Sequence, residues 1–300
     1  MTLRIIEPFM VGASNVTASN VALEDAWAAG TYTLGQQARV GEIIYEVSAA
    51  TTTEEPSEAA VDWFNAGPAN RYAAFDLQFG ADQYRVIETK TINADSITFT
   101  LNSLPRLSSI AFFGAQAENI KVVATDVTPG DIVNIDYDMP NAVAYNGSFW
   151  RWSFLPSSFV TKYVNFQISV PKNTPLEITI TNDGGEAQVG VIAMGVADVF
   201  GIVAPQTSRS LRSRSVRKTE GTLTSLLRRT PSARVAYSLT LLDYQADQFW
   251  RAIDNLDGVA AVFAGPDENP EFTVYGVVGS CQTVSDVNGV SKVQLEVETL

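Results

Sequence analysis

Between Tyr72 and Val203 the chain breaks into eight short apolar or alternating runs, and this punctuation constrains the fold more than any other feature. The runs cover residues 83–88, 96–102, 109–113, 120–125, 132–137, 164–169, 176–181 and 189–195. Asn93-Ala94-Asp95, Pro129-Gly130, Asn146-Gly147, Asn173-Thr174-Pro175 and Asn182-Asp183-Gly184-Gly185 separate them as turn signals. Strands of this length at this spacing predict an antiparallel, jelly-roll-like β-sandwich over residues 65–203. The Asn182 segment is expected to be a hairpin turn, not a phosphate cradle.

The character changes towards the end of the chain. Val235, Tyr237, Leu239 and Leu241 alternate as a strand does. Asp243 is then expected to cap a helix whose apolar stripe is Phe249 or Trp250, Ile253 and Leu256, ended by Asp257-Gly258. Further strands are predicted at 260–263, 272–277, 281–284 and 293–298, with turns at Gly265-Pro266 and Asn288-Gly289. One helix laid on an antiparallel sheet predicts a compact α+β domain over residues 235–300.

The start of the chain carries an apolar run over residues 3–10 and then becomes small and polar. Residues 1–20 are expected to be an arm, either pairing with a neighbouring subunit or frayed. MTLRIIEPFM has no basic region ahead of a long apolar core, so no signal peptide is predicted. The apolar stretch 189–203 is short and interrupted by Asp198, which predicts buried strand and turn rather than a membrane span.

Residues 21–64 read as a separate small unit, a three-strand meander punctuated by Gly30, Gly35 and Gly41. A core that small must come from large side chains, here Trp27, Tyr32, Tyr45 and Trp63. Trp27, Tyr32-Thr33-Leu34-Gly35, Val40, Tyr45 and Trp63 together make the unit similar to small chitin-binding-type carbohydrate modules. That resemblance implies sugar contacts by exposed aromatic rings. Two readings of Trp27, Tyr32, Tyr45 and Trp63 therefore stand side by side: core packing, or stacking on a glycan. The acidic stretch 51–60 is a polar loop. Residues 63–76 (WFNAGPANRYAAFD) are expected to form a hinge between this unit and the sandwich, cleavable without unfolding the rest.

Net charge is −13, which argues against nucleic acid as the main ligand, since such affinity comes mostly from neutralising phosphates. The charge is unevenly spread. Residues 208–234 hold Arg209, Arg212, Arg214, Arg217, Lys218, Arg228, Arg229 and Arg234 against Glu220 alone, a local +7 that leaves the remainder at −20. Residues 204–234 are thus expected to be a wet basic arm or hairpin whose cations contact the acidic surface of another copy or neighbour.

Reactive chemistry is scarce. The sequence has no histidine and a single cysteine, Cys281, which excludes histidine-based acid–base catalysis, histidine metal ligands and an intrachain disulfide. Cys281 is expected to be a small core residue. No catalytic residue, metal site or cofactor is assigned, and no enzyme activity is expected; glycoside hydrolysis needs only two carboxylates, yet no such pair stands out. Asp131, Asp136 and Asp138 offer oxygens to calcium but lack EF-hand spacing, and solvated strand-edge carboxylates are the simpler reading. In SFWRWSFLP, Trp150 and Trp152 share one strand face and Phe149 the other, with Phe154 following. That cluster is either a sugar or partner platform or a buried contact.

Several stretches carry a wider resemblance: Trp63 with Gly67-Pro68-Ala69-Asn70-Arg71 and Phe75-Asp76, Leu176-Glu177-Ile178-Thr179-Ile180-Thr181-Asn182, the run from Gly190 to Gly195, and Leu295-Glu296-Val297-Glu298-Thr299-Leu300. They resemble a group of tailed-bacteriophage virion structural proteins, the tail, baseplate and adaptor components. The resemblance implies a non-enzymatic virion part, made in the host cytoplasm, that packs as a symmetric oligomer against copies of itself and other tail proteins. A peripheral glycan-binding decoration is compatible with such a part, and attachment of a virion or an enzyme to a cell-surface glycan is the alternative function.

Overall fold

The computed structural model describes residues 2–76, 78–79, 84–85, 89–126, 130–139, 160–204, 206–213, 215–220, 223–227, 232–265, 270–285 and 289–300. They fold mainly as antiparallel β-sheet, with one α-helix among the described residues. Two compact units result, Phe9–Gly195 and a second that joins Met1–Pro8 to Val196–Leu300.

In the first unit, a five-stranded sheet runs in the order Gly130–Asp138, Asn119–Asp126, Leu176–Val189, Thr91–Leu101, Val16–Ser19. A three-stranded sheet runs Lys162–Asn165, Ser109–Phe113, Val191–Gly195. The two-residue period aims Ile97, Phe99, Ile120, Val122, Ile178 and Ile180 inward from the first sheet, and Ile110, Phe112, Ile192 and Met194 inward from the second. All ten share one core, which makes the unit sandwich-like. Each of these side chains contributes about 1.5–3 kcal/mol by leaving water.

Two expected turns are bulges. Asn93-Ala94-Asp95 and Asn182-Asp183-Gly184-Gly185 lie inside Thr91–Leu101 and Leu176–Val189, whose register slips between Ala94 and Ser96. Asp95 at φ 59° and Gly184 at φ 69° take left-handed backbone at the slip, and the Gly184 N–H donates to Asp95 Oδ1 at 3.1 Å. Asp95 on one strand and residues 182–185 on the other leave the ladder, and pairing resumes on both sides, so both strands continue.

The small unit is present as three antiparallel strands, Gln37–Val40, Ile43–Val47 and Trp63–Pro68, with Tyr32–Thr33 pairing Thr51–Thr52 beside them. Gly41, at φ 64°, supplies the positive dihedral for the tight reversal after Val40. The expected hinge at 63–76 is corrected. Its first half is the third strand of the small unit, and its second half buries Ala69, Tyr72, Ala74 and Phe75 in the sandwich core. Arg71 fixes it further, donating from Nε and Nη2 to the Val21 carbonyl at 3.0 and 2.7 Å. A cut there would remove core aromatics.

The second unit is built on one sheet, in the order Ala197–Phe200, Leu3–Ile6, Ala261–Ala264, Thr273–Ser285, Val290–Thr299, Ser232–Leu242, Ile202–Val203, with Ser208–Arg212 also pairing Ser232–Leu242. Val235, Tyr237, Leu239 and Leu241 are all buried, as their alternation predicts. The helix Asp243–Asn255 follows directly and packs Phe249, Ile253 and Leu256 onto that face, with Phe200 meeting Phe249 edge-on at 5.3 Å. Asp243 is the first helical residue rather than the cap; Leu242 holds the cap position without a side-chain hydrogen bond.

The expected N-terminal arm is likewise corrected. Leu3–Ile6 pairs on both sides within its own chain, with Ala197–Phe200 and Ala261–Ala264, and Leu3, Ile5 and Ile6 are buried. An apolar strand alone would leave a ladder of unpaired amides, and docking between two strands satisfies both edges. Residues 196–203, expected in the sandwich, belong to this sheet instead.

Candidate functional site

The basic segment divides into two structures. Ser208–Arg212 runs antiparallel to Ser232–Leu242, with Arg209 opposite Val235 and Leu211 opposite Ala233, and all five of its residues are exposed. Val216–Glu220 and Leu223–Leu227 then pair only with each other, as a two-strand ribbon outside every larger sheet among the described residues. Its register sets Val216 against Leu227 and Arg217 against Leu226. Val216 is 45% exposed, Leu226 70% and Leu227 58%. Arg214, Arg228 and Arg229 lie outside the described residues.

The cations behave differently from one another. Arg212 Nη1 lies 3.1 Å from Glu298 Oε1, and Arg234 bonds both Glu296, at 2.9 Å, and Glu298. Hydrogen bonding to Arg234, aided by both positive charges, holds the Glu298 carboxyl below the usual carboxylate range. Arg212 is thus a member of an intrachain network, although its side chain stays 63% exposed. Arg209 and Arg217 make no ion pair among the described residues, which leaves their charge to act outward.

A groove lies in the same unit between the helix and the strands Leu3–Ile6 and Ala197–Phe200. It has a volume of about 200 Å³, with Ile5, Phe200 and Leu256 as an apolar floor. Glu7 and Asp198 stand on one rim; Gln248, Arg251 and Asn255 stand on the helix rim. The pairing of Ile5 with Asp198 puts both on one sheet face, and alternation brings Glu7 and Phe200 to that face too. The helix itself is acidic, with Asp243, Asp247 and Asp254 against Arg251. Nothing in the sequence pointed to this groove, because residues 5–7 and 198–200 meet only through strand pairing.

The four aromatics of the small unit come together, mostly as core. Tyr45 and Trp63 are each 5% exposed, and Trp63 meets Tyr32 edge-on at 5.3 Å. The Trp63 indole donates to the Glu54 carbonyl at 3.0 Å, and Tyr32 Oη bonds the Ala28 backbone. Trp27 and Tyr32 are half-buried against the same cluster. Neither Tyr45 nor Trp63 presents a ring face to a sugar, so these two are corrected to packing residues.

The remaining candidates separate. Asn119 Nδ2 donates to Asp136 Oδ1 at 2.7 Å and to Asp138 Oδ1 at 2.9 Å, so a side-chain amide ties these two strand-edge carboxylates. The Asp131 side chain and Phe149, Trp150, Trp152 and Phe154 lie outside what is described. Cys281 is partly buried against the helix-side core, and burial, reinforced by Asp254, pushes its thiol up to about 11. No family description, curated relative or solved structure matches the chain. Among the described residues no helix is long and apolar enough to cross a membrane.

Proposed function

We propose that the chain is a non-enzymatic structural subunit of a tailed-phage virion, in the tail, baseplate or an adaptor, that assembles as a symmetric oligomer. The family attribution rests on the residue resemblances at 63–76, 176–182, 190–195 and 295–300. The observation that carries the assembly reading is the isolated ribbon Val216–Glu220 with Leu223–Leu227, which displays Val216, Leu226 and Leu227 to water. A lone two-stranded ribbon is marginally stable in water, and exposed leucines on it call for a covering surface. Its Arg217 and Lys218 favour an acidic one, and the chain outside residues 208–234 carries −20.

Sedimentation velocity on the purified chain, alone and mixed with other tail proteins, tests the assembly. Immunogold electron microscopy of particles tests the location. A chain that stays monomeric, joins no tail protein and is missing from particles overturns the reading. The glycan-binding alternative retains only Trp27 and Tyr32, because Tyr45 and Trp63 are enclosed.

A further inference from the structure

The ribbon and the groove are complementary in polarity and charge, and the strand that leads into the ribbon and the strand that walls the groove are opposite edges of one sheet. On the ribbon, Leu226 and Arg217 are directly opposed, so their Cβ atoms stand about 5 Å apart on one face. In the groove, an apolar hollow framed by Ile5, Phe200 and Leu256 adjoins the carboxylates of Glu7 and Asp198. A cavity of about 150 Å³ holds a benzene ring; one of about 200 Å³ takes a leucine side chain. Glu7 and Asp198 make no ion pair among the described residues.

Position and exposure decide whose ribbon occupies the groove. Ser208–Arg212, from which the ribbon leads, is at one edge of the sheet and Ala197–Phe200 at the other. In the folded chain Leu226 is 70% exposed, so the chain's own ribbon does not fill the groove, and a second copy offers the same ribbon with the matching charge. Such a contact uses two different surfaces, so it is heterologous and repeats around a ring or along a helix.

Resting on the oligomer reading above, we propose that the ribbon of one copy docks in the helix groove of the next, Leu226 filling the hollow and Arg217 meeting Glu7 and Asp198. The groove floor and Leu226 screen the charge pair from water, which strengthens it relative to a surface pair. Association should weaken with added salt as those charges are screened.

The test uses the full chain with a benzophenone amino acid in place of Leu226, irradiated and mapped by mass spectrometry. The expected result is a covalent dimer whose crosslink falls in residues 5–7, 198–200 or 248–256. Arg217→Glu should weaken self-association at least about tenfold, and adding Asp198→Arg to it should restore most of the loss. Both side chains point outward, so thermal unfolding of each variant should match the parent. Crosslinks elsewhere in an intact oligomer overturn the groove and leave the assembly reading standing. A chain monomeric at all concentrations overturns both. Failure of Asp198→Arg to rescue Arg217→Glu overturns the pairing.

Discussion

Asn70 acts as a strand neighbour for Ile92. Its Nδ2 donates to the Ile92 carbonyl at 2.7 Å, and the Ile92 N–H donates back to Asn70 Oδ1 at 2.8 Å. A side-chain amide thereby supplies the two bonds that a paired residue would supply, on the side of Thr91–Leu101 where Val16–Ser19 reaches only Phe99 to Leu101. Thr91 reinforces it, donating from Oγ1 to the Asn70 carbonyl and accepting from the Ala74 N–H. Asn70→Ala leaves both Ile92 groups without these partners and should cost about 2–3 kcal/mol in urea unfolding. Asn70→Asp, which replaces the donor with a charge facing a carbonyl, should cost more. Equal stability of all three proteins would remove Asn70 as the clamp.

Gly276 sits where no side chain fits. A Cβ there would lie 2.2 Å from the Glu298 carbonyl oxygen and 2.9 Å from its carbon, both backbone atoms of the paired strand. Gly276→Ala must separate Thr273–Ser285 from Val290–Thr299 and should destabilise by about 3 kcal/mol. Gly279, exposed and with its nearest prospective contact at 3.4 Å on the Glu298 side chain, is the control. Gly279→Ala should stay within about 0.5 kcal/mol of the parent by thermal denaturation.

Glu298 makes stability depend on acid pH. Its carboxyl is held below the ordinary value of 4.5 by Arg234 and then Arg212. A depressed carboxyl contributes stability that is fully present above 4.5 and disappears as pH falls through the lower folded value. The melting temperature of the parent should therefore converge on that of Glu298→Gln as pH falls below 4.5, and exceed it at pH 7. A constant gap across that range would show that the carboxylate charge contributes nothing.

Cys281 should be a slow thiol. With the thiol pushed up to about 11 from 9.0, the thiolate fraction at pH 8 falls about 100-fold relative to an unperturbed cysteine. Ellman's reagent should label the folded chain at least that much more slowly than the urea-unfolded chain, and the rate should climb about tenfold per pH unit towards pH 11. The sign for stability is opposite to that of Glu298: folding favours the protonated thiol, so this contribution is intact below 9.0 and is lost as pH rises through about 11. Rapid labelling at pH 8 would place the thiol in a more polar setting than the helix-side core.

Whatever short-range physics decides was legible in the order of residues. Two-residue alternation placed Val235 to Leu241 in a strand facing a core, and the stripe of Phe249, Ile253 and Leu256 marked the helix. Aromatic content marked Trp27, Tyr32, Tyr45 and Trp63 together as the material of a small core, beside the sugar-contact reading that burial removes for Tyr45 and Trp63. The segment was legible as a wet basic arm or hairpin, whereas the exposure of Leu226 and Leu227 emerged only in the fold. Partnership between distant segments was not legible in the order of residues and emerged with the fold. Leu3–Ile6 finds its neighbours nearly 200 and 260 residues away; Arg212 and Arg234 meet Glu298 across three strands; Asp95 and Asn182 to Gly185 bulge out of one ladder rather than turning the chain. Local sequence sets the period and the backbone dihedrals, whereas pairing between distant strands is chosen by the whole sheet, which must satisfy every amide and bury each apolar face at once. The groove with Glu7 and Asp198 belongs to that second class.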